Sequence, residues 1–229
     1  MLIKNLKLFN FKNHSEKSFD FSPEINCFVG NNGAGKTNIL DALHYLSMAK
    51  SFLGNLDAQN ILHESDFFAI EAEIQGEEKN DIIKVQLPKE GKKIIKKNDK
   101  TYERIADHIG FLPSVMISPY DANLISDGSE SRRKFLDAMI SQTDSDYLFA
   151  LIQYQKTLQQ RNALLKYFAK NRTFDLDSLE IYNEPLTKFG TQIFEKRQRF
   201  VASILPTIQH FYEIISKGNE KVTVIYESN

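Results

Sequence analysis

Eight consecutive residues, Gly30-Asn31-Asn32-Gly33-Ala34-Gly35-Lys36-Thr37, fit the pattern G-x-x-x-x-G-K-[ST] at every specified position. No other stretch narrows the possible folds as far. Gly30, Gly33 and Gly35 let the backbone turn so that its N–H groups face inward on a polyphosphate. Lys36 has the reach to meet the β- and γ-phosphates, and the Thr37 hydroxyl has the chemistry to hold Mg²⁺. Before the loop, the apolar run Ile25 to Val29 predicts a buried strand. After it, Ile39, Leu40, Leu43 and Leu46 fall at helical spacing, so a helix is expected to begin at the loop and aim its positive end at the phosphates. Cys27, inside the expected strand, reads as a buried inert thiol.

The rest of the composition sets outer bounds. The chain has 229 residues, 41% hydrophobic and 26% charged, enough for one large or two small domains with a real core. The net charge of −1 gives no global field for nucleic acid, so any such binding has to come from local patches. A single cysteine allows no disulfide framework and suits a reducing cytosol. The chain opens without a signal-peptide apolar region, and no apolar run approaches the roughly 20 residues of a bilayer span. The expectation is a cytoplasmic protein without a membrane partner.

Strand patterning fills the N-terminal half. Phe19 and Phe21, followed by Ile25 to Val29, read as a hairpin feeding the loop. Phe68, Ile70, Ala72 and Ile74 alternate with Ala69, Glu71 and Glu73; Ile83, Val85 and Leu87 repeat the alternation; a turn at Lys89 to Lys92 leads into a returning strand from Lys93 to Lys97. Val115-Met116-Ile117 reads as one more short strand. Helical stripes then take over. Phe135, Leu136, Met139 and Ile140 form one face, and Tyr147, Leu151, Tyr154, Leu158, Leu165 and Phe168 a longer one with Arg161 in the skipped place. Tyr182, Leu186, Phe189, Ile193, Phe200, Ile204, Phe211 and Ile215 form a third. The last two predict an antiparallel helical hairpin, with Pro185 and Pro206 expected to kink or segment its second arm. Val222 to Tyr226 reads as the beginning of a strand, and Glu227 after it is the nearest approach to a second, catalytic acid, although the alternation suggests a half-exposed strand instead. The expected division is 1–117 for the loop-bearing lobe, 118–217 for a helical subdomain and 218–229 for a strand returning to the first lobe.

Two basic areas are candidates for nucleic-acid or partner contacts. Between Lys89 and Arg104, seven cations, among them Lys92, Lys93 and Lys96, face three acids, a pattern that serves a phosphate backbone or a solvated hairpin face equally well. Arg132-Arg133-Lys134 stand at an expected helix start, where positive charge opposes the helix dipole; that local conflict favours a functional contact.

Four stretches together carry a resemblance. Asn32 before Gly33, with Thr37-Asn38-Ile39-Leu40-Asp41-Ala42 after Lys36, resembles the SMC and RecF branch of ABC-type ATPases. Leu8-Phe9-Asn10-Phe11-Lys12-Asn13 is similar to the opening strand and turn of the RecF family. Ile117-Ser118-Pro119-Tyr120-Asp121 through Ser131-Arg132-Arg133-Lys134-Phe135-Leu136-Asp137, and Tyr154-Gln155-Lys156 through Gln160-Arg161-Asn162-Ala163-Leu164-Leu165, are similar to two long segments of the same family. The resemblance implies an α/β fold: an ABC-ATPase head of the P-loop NTPase type, with a mixed β-sheet and an inserted helical subdomain. It implies ATP and Mg²⁺ as cofactors, held by Gly30, Asn31, Asn32, Gly33, Ala34, Gly35, Lys36, Thr37 and Asn38, with Lys12 and Asn13 near the base or ribose and Asp41 structural. It further implies binding to single-stranded DNA and to single-strand/double-strand junctions, an ATP-dependent homodimer, and work with RecO and RecR in loading RecA.

The chain departs from the family at Tyr120, where an acid is usual, and it contains no signature motif and no second acidic strand; the resemblance places those beyond Asn229. Slow hydrolysis is therefore expected of longer family members and none of this chain by itself. Two other readings stay open: a P-loop ATPase of another ABC class, transporter-type or a generic motor, and a nucleotide-stabilised dimerisation module that never turns over.

Overall fold

The computed structural model describes residues 1–54 and 56–227. These form two compact units, one from Met1 to Ile125 and one from Ser126 onward. The first unit is a six-stranded sheet with a helix on one face. Its strands are β1 (Leu2–Phe11), β2 (His14–Asp20), β3 (Phe67–Gln75), β4 (Asn80–Pro88), β5 (Ile94–Lys97) and β6 (Lys100–Thr101). They lie in the order β2-β1-β3-β4-β5-β6, every pairing antiparallel.

Period-two alternation sets the faces of this sheet. Leu6 and Leu8 of β1, Phe68, Ile70, Ala72 and Ile74 of β3, and Ile83, Val85 and Leu87 of β4 point to one side and are buried. Helix α1 (Lys36–Met48) covers that side with Ile39, Ala42, Tyr45 and Leu46, spaced by threes and fours as an amphipathic helix requires. Three rings lock helix to sheet: Phe11 and Phe68 meet edge-on at 5.2 Å, and Tyr45 closes on them at 6.1 and 5.4 Å. Full burial of each such side chain is worth about 1.5–3 kcal/mol. The opposite face carries Lys7, Glu71 and Lys84 in one cross-strand row, joined by ion pairs of 3.7 and 2.8 Å.

Several expected elements form differently. The hairpin into β2 comes from β1, not from the segment before the loop. Ile25 to Val29 joins no strand ladder among the described residues, and Ile25 and Val29 are 81% and 89% exposed. A strand needs a neighbour for its N–H and C=O groups, and hydropathy alone does not supply one. Phe28 anchors the segment, edge-on to Phe19 and Phe21 at 6.1 Å each. Cys27 is exposed for the same reason, which corrects the expectation of a buried thiol. Val115 to Ile117 is likewise irregular, with Val115 67% and Ile117 82% exposed. Residues 221–227 form no strand, so Glu227 is not presented at a strand end; residues 228 and 229 of the expected returning segment lie outside the described residues.

After the single turn α2 (Asn123–Ser126), the second unit holds α3 (Ser129–Ser141), α4 (Ser145–Asn171) and α5 (Leu176–Ser216). The helical hairpin is α4 against α5. Asp144 caps α4 by accepting from the Tyr147 N–H at 2.8 Å and pairs across to Lys196 of α5 at 2.7 Å. Asp137 of α3 accepts from both the Tyr147 hydroxyl and the Arg197 guanidinium, tying three helices through one carboxylate. Pro185 and Pro206 lie inside α5 without segmenting it. Each removes only one ladder bond from a helix long enough to continue on both sides. Arg161 is half-buried, and its Nε–H donates to Asn183 Oδ1 of α5 at 2.8 Å, so a polar contact fills the gap in the stripe.

One buried group makes the first unit sensitive to acid. His108 is fully buried; its Nε2–H donates to the Leu46 carbonyl at 2.6 Å, while Nδ1 has no partner. Burial pushes its pKa below the ordinary 6.5, opposed by the bond to Leu46 and helped by Lys97. His44 is shifted the same way, again chiefly by burial. The unfolded chain therefore takes up protons first as pH falls through about 6.5, and stability is lost below that point. Melting temperature should be flat near pH 7.5 and decline from pH 6.5 to 5; His108→Gln, which keeps a donor toward Leu46, should flatten part of that decline.

Candidate functional site

The site is built where β1 turns into β2 and meets the N-terminus of α1. Gly35 is the N-cap of α1 in a left-handed conformation (φ 90°), and Gly33 is left-handed too (φ 83°). Gly35 is also fixed by space: a Cβ there would lie 2.5 Å from Asn13 Oδ1 and 2.6 Å from His14 Nε2. The loop closes on itself through a turn in which the Ala34 N–H donates to the Asn31 carbonyl at 3.2 Å. Lys36 folds back over it, its ammonium donating to the carbonyls of Gly30 and Asn31 at 2.8 Å each. The cation thus sits over the loop, held by two neutral acceptors. Thr37, exposed, occupies the second position of α1. First-turn N–H groups and a lysine ammonium stand at one turn, which is the chemistry that an anion at a helix N-terminus requires.

Lys12 and Asn13 of the β1–β2 turn, and His14 at the start of β2, all engage this region. Lys12, left-handed at φ 53°, turns its side chain inward to Asp41 of α1 at 2.6 Å; the two side chains are 8% and 0% exposed. The ion contact is not aligned as a hydrogen bond. Asp41 also accepts from the Ser51 hydroxyl at 2.8 Å and the Phe52 N–H at 2.6 Å. Lys12 is therefore a buried counter-ion to Asp41, with its ammonium turned into the protein. Asn13 donates to the Gly33 carbonyl at 3.1 Å and accepts from Asn38 Nδ2 at 2.8 Å. His14, 5% exposed, meets the Gly35 carbonyl through Nε2 at 3.2 Å. His14 carries no motif of its own in the sequence, and its place directly after Lys12-Asn13 was the available signal.

The basic residues divide. Lys93 does not belong to a surface patch: its ammonium pairs with Asp57 at 2.6 Å, donates to the Ala49 carbonyl at 2.5 Å and lies 4.9 Å over the Tyr45 ring, with 9% of the side chain exposed. Tyr45 in turn donates to Asp57 at 2.5 Å, and burial together with that carboxylate raises its pKa. Lys92 is exposed, and Lys96 stands half-exposed opposite Lys84 on the sheet. Arg132 and Arg133 are exposed on α3 and fold back onto its first turn, donating to the Asp127 carbonyl at 2.9 Å and to Ser129 Oγ at 2.7 Å; Lys134 pairs with Glu130 at 2.7 Å. Glu130 and these back-bonds soften the conflict with the helix dipole. Among the described residues no helix is long and apolar enough to cross a membrane, and no cluster of His, Cys, Asp and Glu could hold a metal.

A nucleotide-type loop on an α/β framework with a separate helical unit defines a class. The chain belongs to the AAA domain family, whose model matches residues 5–199. Within that class its similarity is to RecF. It is 52% identical over its whole length to the DNA replication and repair protein RecF of Flavobacterium johnsoniae, and 46% identical to that of Phocaeicola vulgatus. It spans 64% and 61% of those two proteins. Among solved structures, that of the recombination mediator protein RecF with ATP, in the RecFOR pathway, superposes with a TM-score of 0.90 at 31% identity over 99% of this chain and 63% of that one. The fold is that of an ABC-type P-loop ATPase head with a helical subdomain.

The Lys12–Asp41 pair yields a ranked prediction. Asp41→Ala leaves a buried ammonium and two donors without their acceptor, and should cost about 3–5 kcal/mol. Lys12→Met leaves Asp41 with Ser51 and Phe52, and should cost clearly less. Urea titrations of the two variants would rank them, and equal losses, or the reverse order, would contradict the pairing.

Proposed function

We propose that this chain binds ATP with Mg²⁺ in the 30–37 loop, and that the longer protein type to which it is similar uses the bound nucleotide to gate a grip on DNA during recombinational repair in the cytoplasm. The single observation that carries the nucleotide reading is the Lys36 ammonium, poised over a turn of left-handed glycines at a helix N-terminus with carbonyls to satisfy it. A triphosphate would replace those neutral acceptors with anionic ones, and charge-assisted bonds are the stronger. The space at Gly35, which admits no Cβ, fits a loop whose backbone must stay close to its ligand. Thr37 is the residue offered to the metal. The similarity to RecF proteins supports the DNA side: single-stranded DNA and junctions as targets, an ATP-dependent homodimer, and RecO, RecR and RecA as partners.

Exposed Lys92, Arg132 and Arg133, with half-exposed Lys96, are the residues proposed for nucleic-acid or partner contact. For the chain by itself, nucleotide capture without turnover is the reading we favour, because Glu227 lies on an irregular segment and not at a strand end.

Retention on immobilised ATP, compared with Lys36→Ala, tests the loop. Removing a charge-assisted bond should weaken binding roughly 10- to 100-fold, and equal retention of both proteins would reject the reading. For DNA, Lys92→Glu with Lys96→Glu should weaken binding to a single-strand/double-strand junction at low salt. It should also flatten the salt dependence, by roughly one slope unit for each phosphate no longer neutralised. An unchanged slope would remove these lysines from the interface.

A further inference from the structure

We propose that Asn13 and His14 are positioning residues that brace the phosphate loop from behind and set its affinity for the polyphosphate itself; this rests on the nucleotide reading above. Asn13 Nδ2–H donates to the Gly33 carbonyl at 3.1 Å. His14 Nε2 lies 3.2 Å from the Gly35 carbonyl, and since a carbonyl only accepts, that nitrogen carries the proton. Each of these carbonyls shares a trans peptide with the next residue's N–H, which points the opposite way. Holding the Gly35 carbonyl therefore holds the Lys36 N–H at the open end of α1. Holding the Gly33 carbonyl fixes the peptide of Ala34, whose N–H here donates across the loop to Asn31.

The brace is itself anchored. The residue before it is tied to α1 by the Lys12–Asp41 pair, and Asn13 accepts from Asn38, one position past Thr37. His14 is buried against Phe19, its ring centroid 6.3 Å away, so its reach is set by packing and not by a mobile side chain. The strand turn and the loop therefore meet at fixed distance, and Gly35 is the point of closest approach. A loop held in this way loses less freedom when an anion enters, which is preorganisation.

The brace touches the loop's carbonyls and not a ligand, so it acts on any polyphosphate alike. A direct contact with base or ribose would act on nucleotide alone. Calorimetric titration of the whole chain with Mg-ATP and, separately, with inorganic tripolyphosphate separates the two. Asn13→Ala and His14→Phe should weaken both ligands by the same factor, about 5- to 10-fold each for one missing hydrogen bond, while His14→Gln, which can place a donor near the Nε2 position, should recover most of the loss. Asn13 is exposed, so its truncation should leave the melting curve in place even where His14→Phe shifts it. Weakening of ATP with tripolyphosphate unaffected would assign Asn13 to the base or ribose and overturn the brace, as would variants indistinguishable from wild type. A wild type that binds neither ligand would remove the nucleotide reading together with this one.

Discussion

A buried carboxylate holds the site in register. Asp41 of α1 meets two other segments: the β1–β2 turn through Lys12, and the chain leaving α1 through Ser51 and the Phe52 N–H. A carboxylate with no exposure is costly unless it is paired and hydrogen-bonded, and here an ammonium and two donors meet it from two sides. Because the requirement is strict, the relative placement of helix and turn is strict as well. The aromatic trio of Phe11, Tyr45 and Phe68 packs the same helix onto the sheet, but apolar packing tolerates small slips; a buried charge that loses its partner does not. The loop inherits its geometry from an arrangement fixed outside its own eight residues.

Much of this was legible in the chain. The loop was, because its pattern names every constrained position. The strands around Ile70 and Val85 were, because alternation on a half-buried sheet is a strong signal, and so were the long helical arms. The segments at Ile25 to Val29 and Val115 to Ile117 misled because their apolar character says they want burial, while being a strand depends on a neighbour that hydropathy does not name. Cys27 was misplaced by the same step.

Side-chain fate was harder to read than backbone. Lys12 and Lys93 are both lysines in polar surroundings by sequence, and both turn inward to a specific aspartate far along the chain, Asp41 and Asp57. Lysine hides its charge only where a partner waits, and partners so far apart in the chain leave no local trace. Proline was only half legible. Pro185 and Pro206 read as a kink or a segmentation, and the second does not occur, since α5 runs through both positions. Arg161 sits between these cases: a gap in an apolar stripe that proves to be a hydrogen bond to Asn183.

The exposed thiol of Cys27 has a practical side. It is the chain's sole cysteine, and it stands three residues ahead of Gly30, on a stretch whose nearest anchor is the Phe28 ring. A maleimide dye would therefore attach at one defined place without any engineered substitution. Its emission would follow the hydration and mobility of the backbone that leads into the 30–37 loop, giving an optical report on that segment from a native side chain.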